Sequence, residues 1–419
     1  IFIGYDSFQS AVNITHILVT ESEKEFLSEK EKGIIILDKT PFYPESGGQL
    51  SDKGYIETVD GKFFAEEVLK SGDVILHKGF VEKGKIQKGQ AFAVIDIERR
   101  KALARAHTAT HLLQAALRKI LGETVMQQGS LVDVDKLHFD FTYPKALTDK
   151  ELEEIQNLVN EFILRADPVV KKIVSFEEAK KEKALAFFKD KYDKTVRLVS
   201  ISDYSKELCG GSHLDNTSSV GLFIIISEFS ISSGMRRIEA LVGKQAYNYI
   251  NKLNWQNKKI ANFLKCNIED INSTIEKTFL DLKNKTERIL SLEKELLAQS
   301  IDKNLQKKKQ IQGINFIPLE FKNKDYPLIL YFTDLVKQRL SNFFIFIISN
   351  FSNKQIFVCR VSTDLIEKNL DCLRFLEQFK DRLSLKGGGR KELVQGIVSE
   401  QRQNFLLEVE ECFEQFINL

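Results

Sequence analysis

The segment HTATHLL, residues 107–113, carries two histidines four residues apart within a run of alanines and leucines. The apolar residues on both sides recur at steps of three and four, which predicts a helix over Glu98–Leu121 with Gly122 as its stop. On such a helix His107 and His111 lie on the same face, one turn apart. This arrangement suits the coordination of one metal ion by both imidazoles.

A second segment, CGGSH, supplies Cys209 and His213 with two glycines between them. The glycines allow a tight loop in which the thiol and the imidazole converge. Either pair alone is weak evidence of a metal, because an isolated histidine is more often an ordinary core or surface residue. Together the pairs predict one zinc ion, whose ligands are His107, His111, Cys209 and His213.

The chemistry of such a zinc ion is left open by the sequence. HTATH lacks the glutamate that HExxH metalloproteases use as general base, so a protease is disfavoured. Four protein ligands fill a tetrahedral site, which is typical of structural zinc. Hydrolysis would need a water on or beside the metal, where its pKa falls to roughly 7.

Composition limits the class of protein. At roughly 100–200 residues per domain, a chain of 419 residues accommodates about two to four domains. The net charge of +2 provides no global positive field, so any nucleic-acid surface must be local. The apolar run FFIFII, residues 343–348, is too short for a membrane span and is predicted to be a buried strand.

The cysteines and the beginning of the chain indicate its cellular setting. Five widely spaced cysteines argue against a disulfide framework and for a reducing environment. No signal peptide is visible, so we expect a cytoplasmic protein without membrane contact. Because the sequence begins with Ile1 rather than Met, we expect a fragment of a longer protein.

The pattern along the chain predicts an α+β multidomain protein with four segments. Residues 1–95 are rich in short strands and turns and favour a small β-barrel. Residues 96–243 mix helices and strands and carry the predicted zinc ligands. Residues 244–310 have heptad-like apolar spacing and no proline, which indicates a helical hairpin or coiled-coil arm, or a solvated helix packed on a neighbouring domain. Residues 311–419 form a final α/β unit.

Several individual elements follow from the same patterns. Within the second segment, helices are predicted at Asp149–Ala166, which Pro168 ends, and at Phe176–Phe188. Within the last segment, strands are predicted at Leu328–Phe332, Phe343–Ile348 and Ile356–Val361, with a helix near Leu365–Phe379 and a glycine-rich stretch at Leu385–Lys391.

Five stretches together resemble the editing domain of alanyl-tRNA synthetases, in that family's order and spacing. They are FYPESGGQLSDKG from Phe42, HTATHLL from His107, QQGS at Gln127–Ser130, CGGSH from Cys209 and GMRRIEALVG at Gly234–Gly243. The free-standing AlaX editing proteins share this fold, and the threonyl-tRNA synthetase editing domain shares both ligand pairs. FIGYD, Phe2–Asp6, is similar to the segment that precedes the editing domain, and GGGRKELVQG, Gly387–Gly396, is similar to the C-terminal domain called C-Ala.

The resemblance implies a function and a set of site residues. It implies hydrolytic editing of Ser-tRNA(Ala) and Gly-tRNA(Ala) with one Zn²⁺ per chain, in a chain that lacks the family's N-terminal aminoacylation core. Cys209 would hold zinc at the catalytic centre, and Gln127 would orient the ester carbonyl or the attacking water. The remaining contacts to substrate would come from Thr40, Ser46, Arg236, Arg237, Gly387, Gly388, Gly389 and Arg390.

The same resemblance implies that the C-terminal domain binds the outer corner of tRNA(Ala) and mediates homodimerisation. Two alternatives remain open. One is a free-standing AlaX-type trans-editing deacylase, which a start codon just upstream of Ile1 would favour. The other is a non-catalytic, zinc-stabilised tRNA-binding protein, which the four-ligand count favours.

Overall fold

The computed structural model of the protein describes residues 1–20, 22–185, 194–400 and 402–418. The chain divides into two compact units, Ile1–Lys259 and Ile260–Leu419. Among the described helices, none combines the length and the apolar character that crossing a membrane requires. The division into four segments that the sequence suggests stays a prediction.

The first unit begins with eight antiparallel strands. They are β1 (Gln9–Val19), β2 (Ser22–Glu23), β3 (Phe26–Ser28), β4 (Lys32–Leu37), β5 (Gly54–Glu57), β6 (Gly61–Ser71), β7 (Val74–Gln87) and β8 (Gly89–Ile95). Strands β1, β4, β7, β6, β5 and β8 pair in that order and β8 pairs back with β1, which closes a barrel. Alternate residues fill its interior, among them Val12, Ile14 and Phe63. The predicted barrel is confirmed.

The rest of the first unit is built around a long helix. Helix α1 (Ile97–Leu121) begins at Asp96, whose side chain accepts a hydrogen bond from the Arg99 amide, and ends at Gly122. Its small alanines allow neighbouring elements to approach closely, and almost every residue from Ala102 to Leu117 is buried. The predicted helix is confirmed, and its face carries both histidines into the core.

Two small sheets and two further helices surround α1. The sheets contain β9 (Gln127–Asp133), β10 (Lys136–Thr142), β11 (Val169–Ser175), β12 (Thr195–Ile201), β13 (Ser205–Leu208), β14 (Phe223–Ser232) and β15 (Met235–Val242). Their orders are β14-β15-β10-β9 and β11-β12-β13. The helices are α2 (Asp149–Leu164) and α3 (Phe176–Lys181), and each begins with a capping box. The predicted helix at Asp149–Ala166 is confirmed. The helix predicted at Phe176–Phe188 ends early, at Lys181, since Lys183 has a φ of 58° and Leu185 forms a bridge with Glu207; its last residues, 186–188, lie outside the described residues.

Helices follow the last strand of this unit, as the sequence predicts. They are α4 (Gly243–Leu264), α5 (Ile271–Gln299) and α6 (Ile301–Leu305). Along α5 the side chains of Phe279, Leu282 and Ile289 are 59–69% exposed. The helices are confirmed, whereas their pairing as a coiled-coil arm stays a prediction.

The second unit contains a six-stranded sheet. Its strands are β16 (Lys309–Ile311), β17 (Ile314–Lys322), β18 (Phe343–Phe351), β19 (Lys354–Val361), β20 (Leu385–Arg390) and β21 (Leu393–Val398), and their order is β16-β17-β18-β19-β21-β20. Every residue of FFIFII in β18 is buried, as predicted. Alternate residues of this run pack into cores on opposite faces of the sheet, which explains the unbroken apolar sequence.

Among the described residues of the second unit, four further helices pack on that sheet. They are α7 (Tyr326–Arg339), α8 (Thr363–Glu367), α9 (Cys372–Phe379) and α10 (Phe405–Ile417). The strand predicted at Leu328–Phe332 is wrong, because these residues lie in α7. Asp325 caps α7, and its buried residues include Leu328, Phe332 and Val336, at helical spacing. The predicted helix at Leu365–Phe379 is two short helices, separated by a turn in which Asn369 has a φ of 60°.

Candidate metal centre

The four predicted ligands meet at one point inside the first unit. Donor atoms of His107, His111, Cys209 and His213 all lie within 4.8 Å of one another. The Cys209 Sγ is 3.3 Å from the His107 Nε2 and 3.4 Å from the His213 Nε2. Helix α1 presents one pair, and the loop after β13 presents the other. A helix spacing and a glycine-containing loop thus bring three imidazoles and one thiol together.

Gln49, on the turn-rich segment between β4 and β5, fixes the orientation of His107. The Gln49 Oε1 accepts a hydrogen bond from the Ser212 amide at 2.9 Å, and the Gln49 Nε2 donates to the Ser212 Oγ at 2.8 Å. Because a backbone N–H only donates, the atom facing it must be the oxygen. The His107 Nδ1, 2.7 Å from the same oxygen, must therefore carry the proton and leave Nε2 free to bind a metal.

The other two imidazoles have different environments. The His213 Nδ1 lies 3.1 Å from the Thr108 Oγ1, which also accepts a hydrogen bond from the Leu214 amide. The His111 Nε2 lies 3.4 Å from a carboxyl oxygen of Glu207. The His111 Nδ1 is buried and has no hydrogen-bond partner among the described residues. An unsatisfied buried nitrogen costs about 1–3 kcal/mol, which a bound cation would remove.

The electrostatics of the cluster fit a cation. Burial lowers the pKa of His107 to about 3, and burial lowers those of His111 and His213 well below the ordinary value. All three imidazoles are therefore neutral at pH 7, which is the form that binds metals. Burial raises the pKa of the Cys209 thiol to about 12, so the thiolate needs a positive charge beside it. Three imidazoles and one thiol are a donor set typical of zinc.

The loop that carries Cys209 packs directly on the helix. A Cβ added to Gly211 would lie 1.9 Å from the His107 Cε1 and 2.2 Å from its Nδ1. Only a residue without a side chain fits there, because the backbone touches the imidazole ring. Gly210 differs, since its added Cβ would meet only the Tyr5 Oη at 3.8 Å. Of the two glycines, Gly211 is the one that the packing requires.

A cavity of about 340 Å³ opens beside the cluster. His107, His111 and Cys209 form part of its wall. The polar residues that line the remainder are Tyr43, Ser46, Thr110, Gln127, Ser130 and Glu207. Burial raises the pKa of Glu207 to about 8. The size of the cavity and its few converging polar groups are typical of a small-molecule or substrate site.

Three predicted site residues of the first unit, Gln127, Ser46 and Thr40, have two different placements. Gln127 and Ser46 line the cavity, and the Gln127 Nε2 donates to the Ser130 Oγ at 3.0 Å. Thr40 is buried in the barrel, with its hydroxyl 2.8 Å from the His77 Nε2, and does not line the cavity. Its predicted contact with an amino acid therefore has no support in this geometry.

Arg236 and Arg237 are held by carboxylates. Arg236 makes two hydrogen bonds to Glu228, at 2.5 and 2.8 Å, and Arg237 makes two to Asp140, at 2.6 and 2.7 Å. Adjacent residues of a strand point to opposite faces of its sheet, and each of the two arginines has its own carboxylate partner. Neither lines the cavity.

The glycine-rich stretch Gly387–Arg390 is a strand, β20, at one edge of the second unit's sheet. Added Cβ atoms would lie 2.3 Å from the Gln395 carbonyl oxygen at Gly387 and 2.1 Å from the Leu393 oxygen at Gly389. These glycines therefore allow a close approach of the two strands. The predicted contact of this stretch with the substrate stays a prediction.

Sequence reasoning missed Gln49 and Glu207. Gln49 lies within the FYPESGGQLSDKG stretch, and Glu207 is two residues before Cys209. Their proximity to recognised stretches was the available signal, but the partners of Gln49 are 58 and 163 residues away along the chain. Only the folded chain shows that they meet.

Comparison with known proteins identifies similar families and relatives. Residues 1–99 match the family model described as tRNA synthetases class II (A). Residues 196–239, which include Cys209 and His213, match the model described as threonyl and alanyl tRNA synthetase second additional domain. Among solved structures, the C-Ala domain of Aquifex aeolicus alanyl-tRNA synthetase aligns with 26% of this chain and 98% of that one, at 21% identity and a TM-score of 0.23.

Two curated relatives are alanine–tRNA ligases. That of Buchnera aphidicola subsp. Acyrthosiphon pisum is 36% identical over 397 residues, which are 94% of this chain and 45% of that protein. That of Coxiella burnetii is 34% identical over 396 residues, or 94% of this chain and 46% of that protein. The chain is therefore homologous to a segment that makes up less than half of each of these alanine–tRNA ligases.

Proposed function

We propose that the first unit hydrolyses the ester bond of tRNA(Ala) charged with serine or glycine, with one zinc ion held by His107, His111, Cys209 and His213. The observation that carries this proposal is the cavity of about 340 Å³, whose wall includes three of these four donors. A site that only stabilised the fold would have no need of a cavity lined by polar groups beside its metal. The homology to alanine–tRNA ligases supports an ester of tRNA as the substrate.

Three of the cavity residues have a defined part in this proposal. A bound zinc would supply a Lewis acid that polarises an ester carbonyl or lowers the pKa of water. Gln127 donates through Nε2 to Ser130 and thereby leaves its Oε1 available to orient a water molecule. The Ser46 side chain lies at the cavity wall, where its hydroxyl could bind the hydroxyl of a seryl group. Cys209, in the cavity wall, would hold the ligand loop to the zinc ion.

This cavity must select the serine and glycine esters of the tRNA over the alanine ester. An aminoacylation pocket that fits alanine rejects glycine poorly and distinguishes an added hydroxyl only weakly. A second site that hydrolyses the wrong esters would correct both errors. The partner in this proposal is tRNA(Ala), with contacts from Gly387–Gly389 and Arg390 of the second unit. The proposal also includes a cytoplasmic location and dimerisation through the C-terminal region.

The test is a comparison of two esters and two cysteine variants. The chain is incubated with seryl-tRNA(Ala) and with alanyl-tRNA(Ala), and the loss of each ester is followed. We expect rapid loss of serine only, slowed by more than about 100-fold in Cys209→Ala, because even neighbours of metal ligands contribute 10- to 100-fold. Cys266→Ala, in the connection between α4 and α5, is the matched control and should keep full activity. Equal slow loss of both esters would refute the proposal.

A second candidate is a non-catalytic tRNA-binding protein stabilised by zinc. The observation in its favour is that four donors converge, which can complete a tetrahedral shell. The same assay distinguishes the two, when zinc content is measured on the same sample. Zinc at one per chain with no ester loss would favour the binder, whereas zinc with selective loss of serine favours the hydrolase.

A further inference from the structure

Three consecutive backbone carbonyls of the ligand loop are held by side chains from elsewhere in the first unit. The Arg197 Nη1 donates to the oxygens of Cys209 and Gly211, at 2.9 Å each. The Tyr5 Oη donates to the oxygen of Gly210 at 2.5 Å. In addition, the Cys209 amide donates to the Arg197 carbonyl at 3.0 Å. A loop with two adjacent glycines is intrinsically flexible, and these bonds restrict it to one path.

The two side chains that hold the carbonyls also support each other. The Arg197 guanidinium carbon lies 4.2 Å from the centroid of the Tyr5 ring. A cation over an aromatic face at this distance is attracted to the ring, by about 0.5–2 kcal/mol. Tyr5 comes from the segment before β1, and Arg197 lies on β12. The loop is thus gripped by a pair formed between two distant parts of the sequence.

Gln49 provides a further connection between the ligand loop and the rest of the first unit. Gln49 is fully buried. Its side-chain amide forms hydrogen bonds with the His107 imidazole, with the backbone N–H of Ser212 and with the Ser212 hydroxyl. One side chain therefore connects a ligand on α1 to the loop that carries the other pair of ligands. Its own segment is anchored by hydrogen bonds between Ser46 and Gln49 in both directions and by pairing with Val132.

We propose that Tyr5, Gln49 and Arg197 are positioning residues, which hold the ligand loop and His107 in metal-binding geometry before an ion arrives. The affinity for zinc then depends on side chains of the N-terminal segment, the barrel region and β12, none of which contributes a ligand itself. Groups that orient metal ligands in this way typically change metal affinity by about 10- to 100-fold when removed. This inference rests on the zinc site of the proposed function and is independent of ester hydrolysis.

The decisive comparison is between two substitutions of one residue. Gln49→Leu removes every hydrogen bond of the amide at nearly constant volume, and we expect a loss of zinc affinity of about 10- to 100-fold. Gln49→Glu keeps an acceptor for the His107 Nδ1–H and the Ser212 amide, so we expect affinity close to that of the unmodified chain. Affinity is measured by competition with a chromophoric chelator, on the full chain.

A spectroscopic measurement separates positioning from general destabilisation. Co²⁺ bound in place of zinc absorbs visible light with an intensity and a band position that depend on ligand geometry. We expect an altered cobalt spectrum in Gln49→Leu and an unaltered one in Gln49→Glu, with both variants folded by circular dichroism. Equal chelator competition and identical cobalt spectra for Gln49→Leu and the unmodified chain would overturn the inference, as would failure of the unmodified chain to bind zinc.

Tyr5→Phe tests the outer side of the loop. It deletes only the hydroxyl that binds Gly210 and keeps the ring beneath Arg197, so we expect zinc affinity to fall about threefold to tenfold, as for one hydrogen bond. Tyr55→Phe is the matched control, because Tyr55 carries the Lys62 ammonium 3.7 Å from its ring centroid and lies on the barrel strand β5. Equal affinities of these two variants would remove Tyr5 from the proposal. Deacylation is measured on the same variants. If zinc affinity falls while the rate of deacylation is unchanged, the positioning role holds and the catalytic role of zinc in the proposed function fails. If deacylation slows while zinc affinity is unchanged, the positioning role fails.

Discussion

Gly211→Ala is expected to disrupt the metal centre, whereas Gly210→Ala is expected to leave it intact. An added Cβ at Gly211 would lie 1.9–2.9 Å from three atoms of the His107 ring, and real Cβ atoms do not approach so closely. The nearest atom to a Cβ on Gly210 is 3.8 Å away, an ordinary contact. Neither glycine has a positive φ, so alanine suits both backbone conformations and only the packing differs.

The magnitude follows from the two ways of relieving this clash. If the loop and the helix move apart, the overpacking costs about 1–3 kcal/mol, which lowers Tm by roughly 2–12 °C at about 2–4 °C per kcal/mol for a domain of this size. If the His107 ring turns away, it loses both its place among the ligands and its hydrogen bond to Gln49. Zinc affinity then falls by more than about 100-fold, beyond the effect of a neighbouring group.

Two measurements on purified chains check this expectation. Elemental analysis after dialysis gives zinc per chain, and thermal unfolding with and without a chelator gives the stabilisation that zinc provides. We expect Gly210→Ala to match the unmodified chain within about 0.5 kcal/mol and Gly211→Ala to retain little zinc. A Gly211→Ala chain with unchanged zinc content and Tm would refute the packing argument, as would equal losses in both variants.

Three further expectations concern stability. Burial lowers the pKa of His77 to about 4, whereas the pKa of this imidazole in the unfolded chain is about 6.5. The unfolded chain therefore binds the proton more readily, and about 3 kcal/mol of stability is lost as the pH falls from about 6.5 towards 4. Urea unfolding across this pH range should show a smaller loss of stability in His77→Gln. Arg100→Met leaves the buried Asp52 carboxylate without its ion pair and should destabilise the first unit by about 3–5 kcal/mol in the same assay, whereas an unchanged midpoint would contradict a buried pair. Gly387→Ala places a Cβ 2.3 Å from a carbonyl oxygen while Gly388→Ala meets nothing within 4 Å, so calorimetry should find only the former destabilised, by about 1–3 kcal/mol.

The sequence predicted those parts of the molecule that depend on local periodicity. Helix α1 has apolar residues at steps of three and four along its whole length, and a helix fixes the relation between His107 and His111 whatever surrounds it. The two glycines next to Cys209 predicted a loop, and the loop exists. That both pairs would hold one metal ion was a hypothesis based on the types of the four side chains. The fold brings the four donors together.

The errors arose where tertiary contacts choose between local alternatives. The run from Leu328 to Phe332 suits a strand by composition, but Asp325 and Pro327 begin a helix whose apolar face then packs on the sheet. The substrate contacts of Arg236 and Arg237, which the resemblance implied, stay predictions, although both side chains are held by carboxylates. Their carboxylate partners lie 8 and 97 residues away, so no local pattern could show that both are paired.

The sheet of the second unit ends on both sides in strands that discourage pairing with another chain. One end is β16, only three residues long, and the other is β20, with three consecutive glycines between Lys386 and Arg390. A short strand offers few free amides, while glycines and cations form poor templates for an incoming strand. Since β18 in the same sheet is an almost unbroken run of phenylalanine and isoleucine, we expect these edges to limit aggregation of the unit through its backbone.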